Sequence, residues 1–199
     1  MTRTMRLIAL TGGIGSGKSV VAHTVQVMGY EVYDCDSRAK TLMAHDEEVR
    51  QQLIQEFGNE VYLADGTLNR QYLSAVAFAD EKALARLNAI VHPATSRDIQ
   101  RWADEQARTG STVAFIETAL LRTAGLDRMV DDVWHVTAPA GVRIERVMQR
   151  SGLTAQQVEE RMAAQSAEEA VAPGEKVIVN DTLTALLPQV IGLLNQVES

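Results

Sequence analysis

The stretch Leu10-Thr11-Gly12-Gly13-Ile14-Gly15-Ser16-Gly17-Lys18-Ser19 follows the apolar run Leu7-Ile8-Ala9-Leu10 and leads into Val20-Val21-Ala22-His23-Thr24-Val25. A strand-forming run, a glycine-rich turn and the start of a helix, in that order, give the G-x-x-x-x-G-K-[ST] pattern its mechanical meaning. The glycines let the backbone turn sharply with its N–H groups pointing inward, a nest for phosphate oxygens at the positive end of a helix. Lys18 adds a mobile cation for the β- and γ-phosphates, and the Ser19 hydroxyl is a candidate ligand for Mg²⁺. The expected ligand is a nucleoside triphosphate, ATP or GTP.

Composition is consistent with that reading. A chain of 199 residues, 46% of them apolar, suits one globular domain with insertions and can bury a sizeable core. With 26 acidic against 19 basic side chains the formal net charge is −7, which disfavours a long nucleic-acid footprint. Cys35 is the single cysteine, so an intrachain disulfide is excluded and a cysteine-based metal site is not expected. The start Met1-Thr2-Arg3-Thr4-Met5-Arg6 leaves no room for a secretory signal, and no apolar run reaches membrane-spanning length. A cytoplasmic, soluble protein without a membrane or nucleic-acid partner is the expectation; oligomeric state is not readable.

Downstream of the glycine-rich turn, a helix is expected to end at Gly29, and Tyr30-Glu31-Val32-Tyr33 reads as a second strand closing on Asp34-Cys35-Asp36. In an open parallel sheet the C-terminal strand edge is where ligands bind, so these carboxylates are expected at the phosphate crevice. Asp36 there is a candidate acceptor for the proton of an attacking hydroxyl; an ordinary helix cap is the other reading. From about Ser37 to Asp98 the pattern is helical, with a turn at Asp65-Gly66 and an expected interruption at His92-Pro93. This reads as a helical insertion of the kind that forms an acceptor site. His92 fits packing better than catalysis, and Arg70 fits either an anionic acceptor or solvent.

A helix containing Trp102 is expected to stop at Gly110. Thr112-Val113-Ala114-Phe115-Ile116, Val133-Trp134-His135-Val136-Thr137 and Lys176-Val177-Ile178-Val179 read as the third, fourth and fifth strands. Glu117, at the third strand's tip, suits either a Mg²⁺ or acceptor position or the cap of a following helix. Arg143, Arg146 and Arg150 have helical spacing and share one face; Gly152 precedes a second helix from Thr154 that carries Arg161. A solvated charged face would explain such a series, but its place after a strand of a phosphate-binding sheet favours arginines that fold over the nucleotide. Asn180-Asp181 ends the fifth strand within reach of a base or ribose, and Leu183 to Val197 reads as a closing amphipathic helix.

These residues together resemble the dephospho-coenzyme A kinase family. The resemblance rests on Thr11 to Ser19, Asp34-Cys35-Asp36, Asp65-Gly66-Thr67-Leu68 and His92-Pro93. It continues through Glu117 with Leu120-Leu121, Arg146-Val147-Met148-Gln149-Arg150, Ala164-Gln165 and Asn180-Asp181. It implies an α/β fold of the P-loop NTPase type, a five-stranded parallel sheet flanked by helices, with a helical acceptor-binding insertion and a lid. The implied division is a nucleotide-binding core of residues 1–36, 99–138 and 173–199, an acceptor (CoA)-binding domain of residues 37–98 and a lid of residues 139–172. The implied reaction is ATP-dependent phosphorylation of the ribose 3′-hydroxyl of 3′-dephospho-CoA, giving CoA and ADP, the last step of coenzyme A synthesis.

By the same resemblance Asp36 is the base, and Gly12, Gly13, Ile14, Gly15, Ser16, Gly17 and Lys18 hold the ATP phosphates. Ser19 holds Mg²⁺, Arg146 and Arg150 close from the lid, and Asn180 lies near the adenine. Two departures stand out. Val20 replaces a frequent Thr, which removes one hydroxyl contact to the α-phosphate, and Glu117-Thr118-Ala119-Leu120-Leu121 lacks a common proline. The loop and arginines alone would also suit a kinase for a nucleoside monophosphate or another small alcohol. A GTP-dependent switch is disfavoured, since neither a D-x-x-G nor an N-K-x-D motif is present.

Overall fold

The computed structural model describes residues 5–77 and 79–198; residues 1–4, on which the secretory-signal reading bears, lie outside them. Five strands form one parallel sheet in the order β2-β3-β1-β4-β5: β1 is Arg6–Thr11, β2 Glu31–Asp34, β3 Val113–Glu117, β4 Asp132–Thr137 and β5 Lys176–Val179. All five fall on the apolar runs expected, within a residue or two at their ends. The glycine-rich turn leaves β1, the central strand, with β3 on one side and β4 on the other. A crevice opens at such a switch point beyond the C-terminal strand ends.

Register aligns those ends, with Leu10 and Asp34 both opposite Glu117, Thr11 opposite His135 and Thr137 opposite Val179. Helices α1 (Lys18–Val27) and α9 (Leu186–Glu198) pack on the sheet. Their Val21, Val25, Val190 and Leu194 meet Ile8, Leu10, Phe115, Trp134 and Ile178, all buried. Phe115 sits edge-on between Tyr30 and Trp134, with ring centroids 5.8 and 5.1 Å away. Each such side chain contributes about 1.5–3 kcal/mol of burial energy.

The chain divides into two compact units, one of residues 1–34 and 103–199 and one of residues 35–102. The sheet unit also holds α6 (Ala140–Ser151), α7 (Ala155–Ala164) and the one-turn α8 (Ser166–Glu169). Thr154 caps α7 in a reciprocal capping box with Gln157. The helical unit holds α2 (Cys35–His45), α3 (Glu47–Phe57), α4 (Arg70–Ala77) and most of α5 (Glu81–Arg108). Its own core is Leu42, Val49, Leu53, Phe57, Val61, Leu73, Ala83 and Ala94.

Two boundaries differ from expectation. His92-Pro93 does not interrupt a helix: Pro93 lies inside α5, which runs unbroken over its 28 residues. One missing N–H costs a single helical bond, and a long helix with Ala83, Val91, Ala94, Ile99 and Ala103 buried offsets it. The closing helix starts at Leu186 rather than Leu183, because the Asp181 carboxylate accepts from the Leu183 and Thr184 amides at 3.0 and 2.7 Å and holds a turn there. Those bonds also hold its carboxyl below the usual range.

Candidate active site

Gly17, with φ 94°, caps α1 in a left-handed conformation, and a Cβ there would overlap Asn180 Nδ2. No side chain caps α1, and its first turn carries no acid, so the positive end of the helix is left to an external anion. Lys18 Nζ donates to the Gly12 carbonyl at 2.8 Å, folding the cation over the turn. Ser19 stands exposed on the first turn of α1, where a hydroxyl can ligate a divalent ion. Among the described residues, the buried hydroxyls of Thr11 and Ser16 lack partners. An uncapped helix start that follows a glycine-rich turn fits a polyanionic ligand.

The carbonyl side of the loop is taken by Arg146 and Asn180. Asn180 Nδ2 donates to Ser16 O at 2.9 Å, and its backbone N–H donates to Thr137 O at 2.8 Å, fixing the residue at the end of β5. Arg146 Nη2 donates to Asn180 O at 3.0 Å, and Nη1 lies 3.4 and 3.5 Å from Gly15 O and Ser16 O. Arg150, one turn further along α6, is exposed. Arg143 departs from the picture of an arginine face over the nucleotide: it is buried, bonded to Ile14 O at 2.8 Å and ion-paired with Glu169.

Glu117 ends β3 and is followed by turns, and the next helical element is the short 3-10 helix Leu126–Met129 with Gly125 at its start, so the capping alternative has no helix next to Glu117 to act on. Thr118 Oγ1 instead accepts from Leu120 N at 3.0 Å and shapes that turn without a proline. Behind it, Glu168 accepts from the Arg122 and Thr123 amides at 3.1 and 2.6 Å. Glu175 pairs with Arg122 and lies 3.3 Å from Nδ1 of buried His135. Burial lowers the His135 pKa, only partly opposed by that carboxylate. Spacing gave no signal for these pairs, which join residues 40 to 53 apart in sequence.

Asp36 lies exposed in the first turn of α2, two residues after the last residue of β2. Arg38, in the same turn, donates from Nε and Nη2 to Asp98 Oδ2 on α5 at 2.9 and 2.6 Å, which anchors the start of α2 within the helical unit. That unit also contains a pocket of about 590 Å³ lined by Ala44, His45, Glu47, Arg50, Asp65, Gly66, Thr67, Leu68 and Arg70. Arg50 organises it: Nη1 donates to Ala44 O and Gly66 O at 2.8 and 3.0 Å, and the guanidinium lies 3.9 Å above the Tyr62 ring. Asp65 accepts from the Thr67 amide and hydroxyl at 2.9 and 2.7 Å, which holds its carboxyl low. Arg50 and Arg70 bring positive charge to the pocket, with Glu47 and Asp65 as acids in the same lining. His92 is half-buried, with its pKa lowered by burial.

A family model described as dephospho-CoA kinase matches residues 6–185. The chain is 37% identical to the dephospho-CoA kinase of Porphyromonas gingivalis over 98% of its own length and 96% of that protein. It is 38% identical to the Geobacter sulfurreducens dephospho-CoA kinase over 89% and 90%. Among solved structures, a Thermus thermophilus protein superposes with a TM-score of 0.76 at 31% identity, covering 98% of this chain and 96% of that one. The Campylobacter jejuni dephospho-CoA kinase shares the fold with a TM-score of 0.70 at 17% identity, covering 96% of both chains. With the phosphate-binding turn, its arginine and asparagine partners and this similarity along nearly the whole length, the chain belongs to the dephospho-CoA kinase family.

Proposed function

We propose that the protein transfers the γ-phosphoryl group of ATP to the ribose 3′-hydroxyl of 3′-dephospho-CoA, releasing CoA and ADP. The observation that carries this reading is the uncapped start of α1 with Lys18 folded over it and Arg146 and Asn180 fastened behind, in a chain of this family.

The Lys18 ammonium and the amides of residues 12–18, apart from the Ile14 N–H that Gln165 engages, hold the β- and γ-phosphates and offset the charge that gathers on them as the bridging bond breaks. Asp36 accepts the proton of the attacking 3′-hydroxyl; its residue type and its position two residues past β2 support that role. Arg146 adds positive charge beside the loop, Arg150 reaches the nucleotide from the lid, residues 139–172, and Asn180 faces the adenine. Ser19 is the residue that would hold Mg²⁺, which neutralises phosphate charge when bound. Residues 37–98 receive the acceptor, and Arg50 and Arg70 are the side chains of the pocket that would meet its anionic groups.

ADP formation from Mg·ATP, measured with dephospho-CoA, with AMP and with no acceptor, tests the reading. ADP formation that depends on dephospho-CoA, with CoA identified by mass, is the expected result. Equal or faster reaction with AMP overturns the acceptor assignment, and ADP without acceptor points to an ATPase.

A further inference from the structure

The peptide units on both sides of Ile14 are held by side chains from distant parts of the chain. Ile14 N–H donates to Gln165 Oε1 at 2.9 Å, and Arg143 Nε donates to Ile14 O at 2.8 Å. Gln165 follows the last residue of α7, and Arg143 lies in the first turns of α6. The same guanidinium is engaged bidentately by Glu169, with Nη1 2.9 Å from Oε2 and Nη2 on Oε1. Arg143 is only 8% exposed while the Glu169 side chain is 24% exposed, so the guanidinium is shielded from water and its partner partly so. The ion pair lies directly on Gly13, where an added Cβ would overlap both Glu169 Oε1 and Arg143 Nη2. The neighbouring Glu168 is separately anchored on the Arg122 and Thr123 amides.

Resting on the ATP-site reading above, we infer that Gln165, Arg143 and Glu169 are positioning residues for phosphoryl transfer: together they brace Ile14 and set the loop in its phosphate-binding shape before nucleotide arrives. The physical reason is entropic and electrostatic. A loop containing Gly12, Gly13, Gly15 and Gly17 has many accessible conformations, and fixing the peptide units on both sides of Ile14 removes much of that freedom ahead of binding. A lone carboxylate at Gly13 would repel phosphate, whereas the paired Arg143 guanidinium neutralises it. The role fits Gln165 because a neutral side chain accepts the Ile14 N–H without placing further negative charge beside the nest.

Gln165 is partly exposed, so its substitution is compatible with folding. Gln165→Met keeps the length of the side chain but removes the acceptor; Gln165→Glu retains an acceptor oxygen. The expected result for Gln165→Met is roughly a tenfold rise in KM for ATP and in Kd for ADP, the scale of one lost hydrogen bond. KM for dephospho-CoA stays within about twofold, and the melting temperature falls by no more than about 3 °C. Hydrogen exchange at the Ile14 amide, followed by ¹⁵N NMR, accelerates in Gln165→Met and is restored in Gln165→Glu, a rescue that loss of packing alone would not produce. ATP and ADP constants within twofold of wild type, equal rises for both substrates, or an unaltered Ile14 amide would each overturn the brace. Failure of the wild-type protein to bind ADP at all would instead remove the ATP-site reading beneath it.

Discussion

Side chains from several distant stretches of chain fasten the phosphate loop of the sheet unit, while Arg50 reaches from α3 to fasten the Asp65–Leu68 turn of the helical unit. On the first loop converge Arg143, Arg146, Gln165 and Asn180, all contributed from beyond β4. On the second, Arg50 joins Gly66 O to Ala44 O while the turn otherwise closes on itself through Leu63, Gly66 and Thr67. The difference matches what each would have to do. Phosphate recognition uses backbone amides, whose directions must be fixed together, and a pocket for a long flexible acceptor uses side-chain charge, which tolerates a locally held turn. The two units should therefore separate kinetically, with nucleotide parameters following residues 12–19, 143–165 and 180 and acceptor parameters following residues 44–70.

The sharpest way to break this division is at the chemical step itself. Asp36→Asn keeps the shape of the side chain and removes its basicity, so turnover should fall by roughly 10²–10⁴-fold, the scale of lost general-base catalysis. KM for ATP and Kd for ADP should stay near wild type, because the residue lies in the helical unit, outside the loop proposed to hold the nucleotide. Steady-state kinetics with both substrates varied, together with calorimetric ADP binding, checks both halves. Near wild-type turnover would remove Asp36 as the base, and a parallel loss of ADP affinity would dissolve the division of labour.

A smaller effect tests the other side of the comparison. Arg50→Met keeps the aliphatic stem over Tyr62 but removes both hydrogen bonds to the turn and the stacked charge. KM for dephospho-CoA should rise about tenfold, as for the loss of two hydrogen bonds of modest net worth, with KM for ATP within about twofold. Substrate-specific kinetics read the outcome directly. An equal rise for ATP would mean that the pocket does not act separately from the nucleotide site.

The sheet was legible because a buried parallel strand is a continuous apolar run, as in Leu7–Leu10 and Val113–Ile116, and because Val177-Ile178-Val179 is β-branched throughout although only Ile178 is buried. The phosphate turn was legible because its chemistry is local: glycines, Lys18 and Ser19 sit within one turn of each other. Arg143 was not, since helical spacing places it on the same face as Arg146 and Arg150, and only the fold shows that the face passes from buried to exposed along α6. Pro93 misled for a related reason: a local helix breaker is outweighed by packing along 28 residues. The Gln165 contact with Ile14 spans 151 positions, and the pocket around Arg50 is assembled from α2, α3, a turn and the start of α4. Neither leaves a periodic trace.

The smallest expected effect compares two histidines, one in each unit. Burial lowers the pKa of both His135 on β4 and His92 on α5, so in each case the folded value lies below the unfolded value near 6.5. Between those two values the unfolded chain binds more protons than the folded one. The stabilisation is thus fully present above about pH 6.5 and is lost as pH falls through the folded pKa, with a slope of at most about 1.4 kcal/mol per pH unit for each histidine. Urea unfolding between pH 7 and pH 5 should show this decline, and replacing either histidine by Gln should flatten it. The two replacements should differ at pH 7. His135→Gln disturbs the hydrogen bond to Glu175, which also pairs with Arg122, and should cost about 1 kcal/mol. His92→Gln should be close to neutral at that pH, because its shift has burial as its cause and involves no charged partner. A steeper acid decline in His135→Gln than in wild type would mean that the lost stability comes from Glu175 and Arg122 rather than from the imidazole.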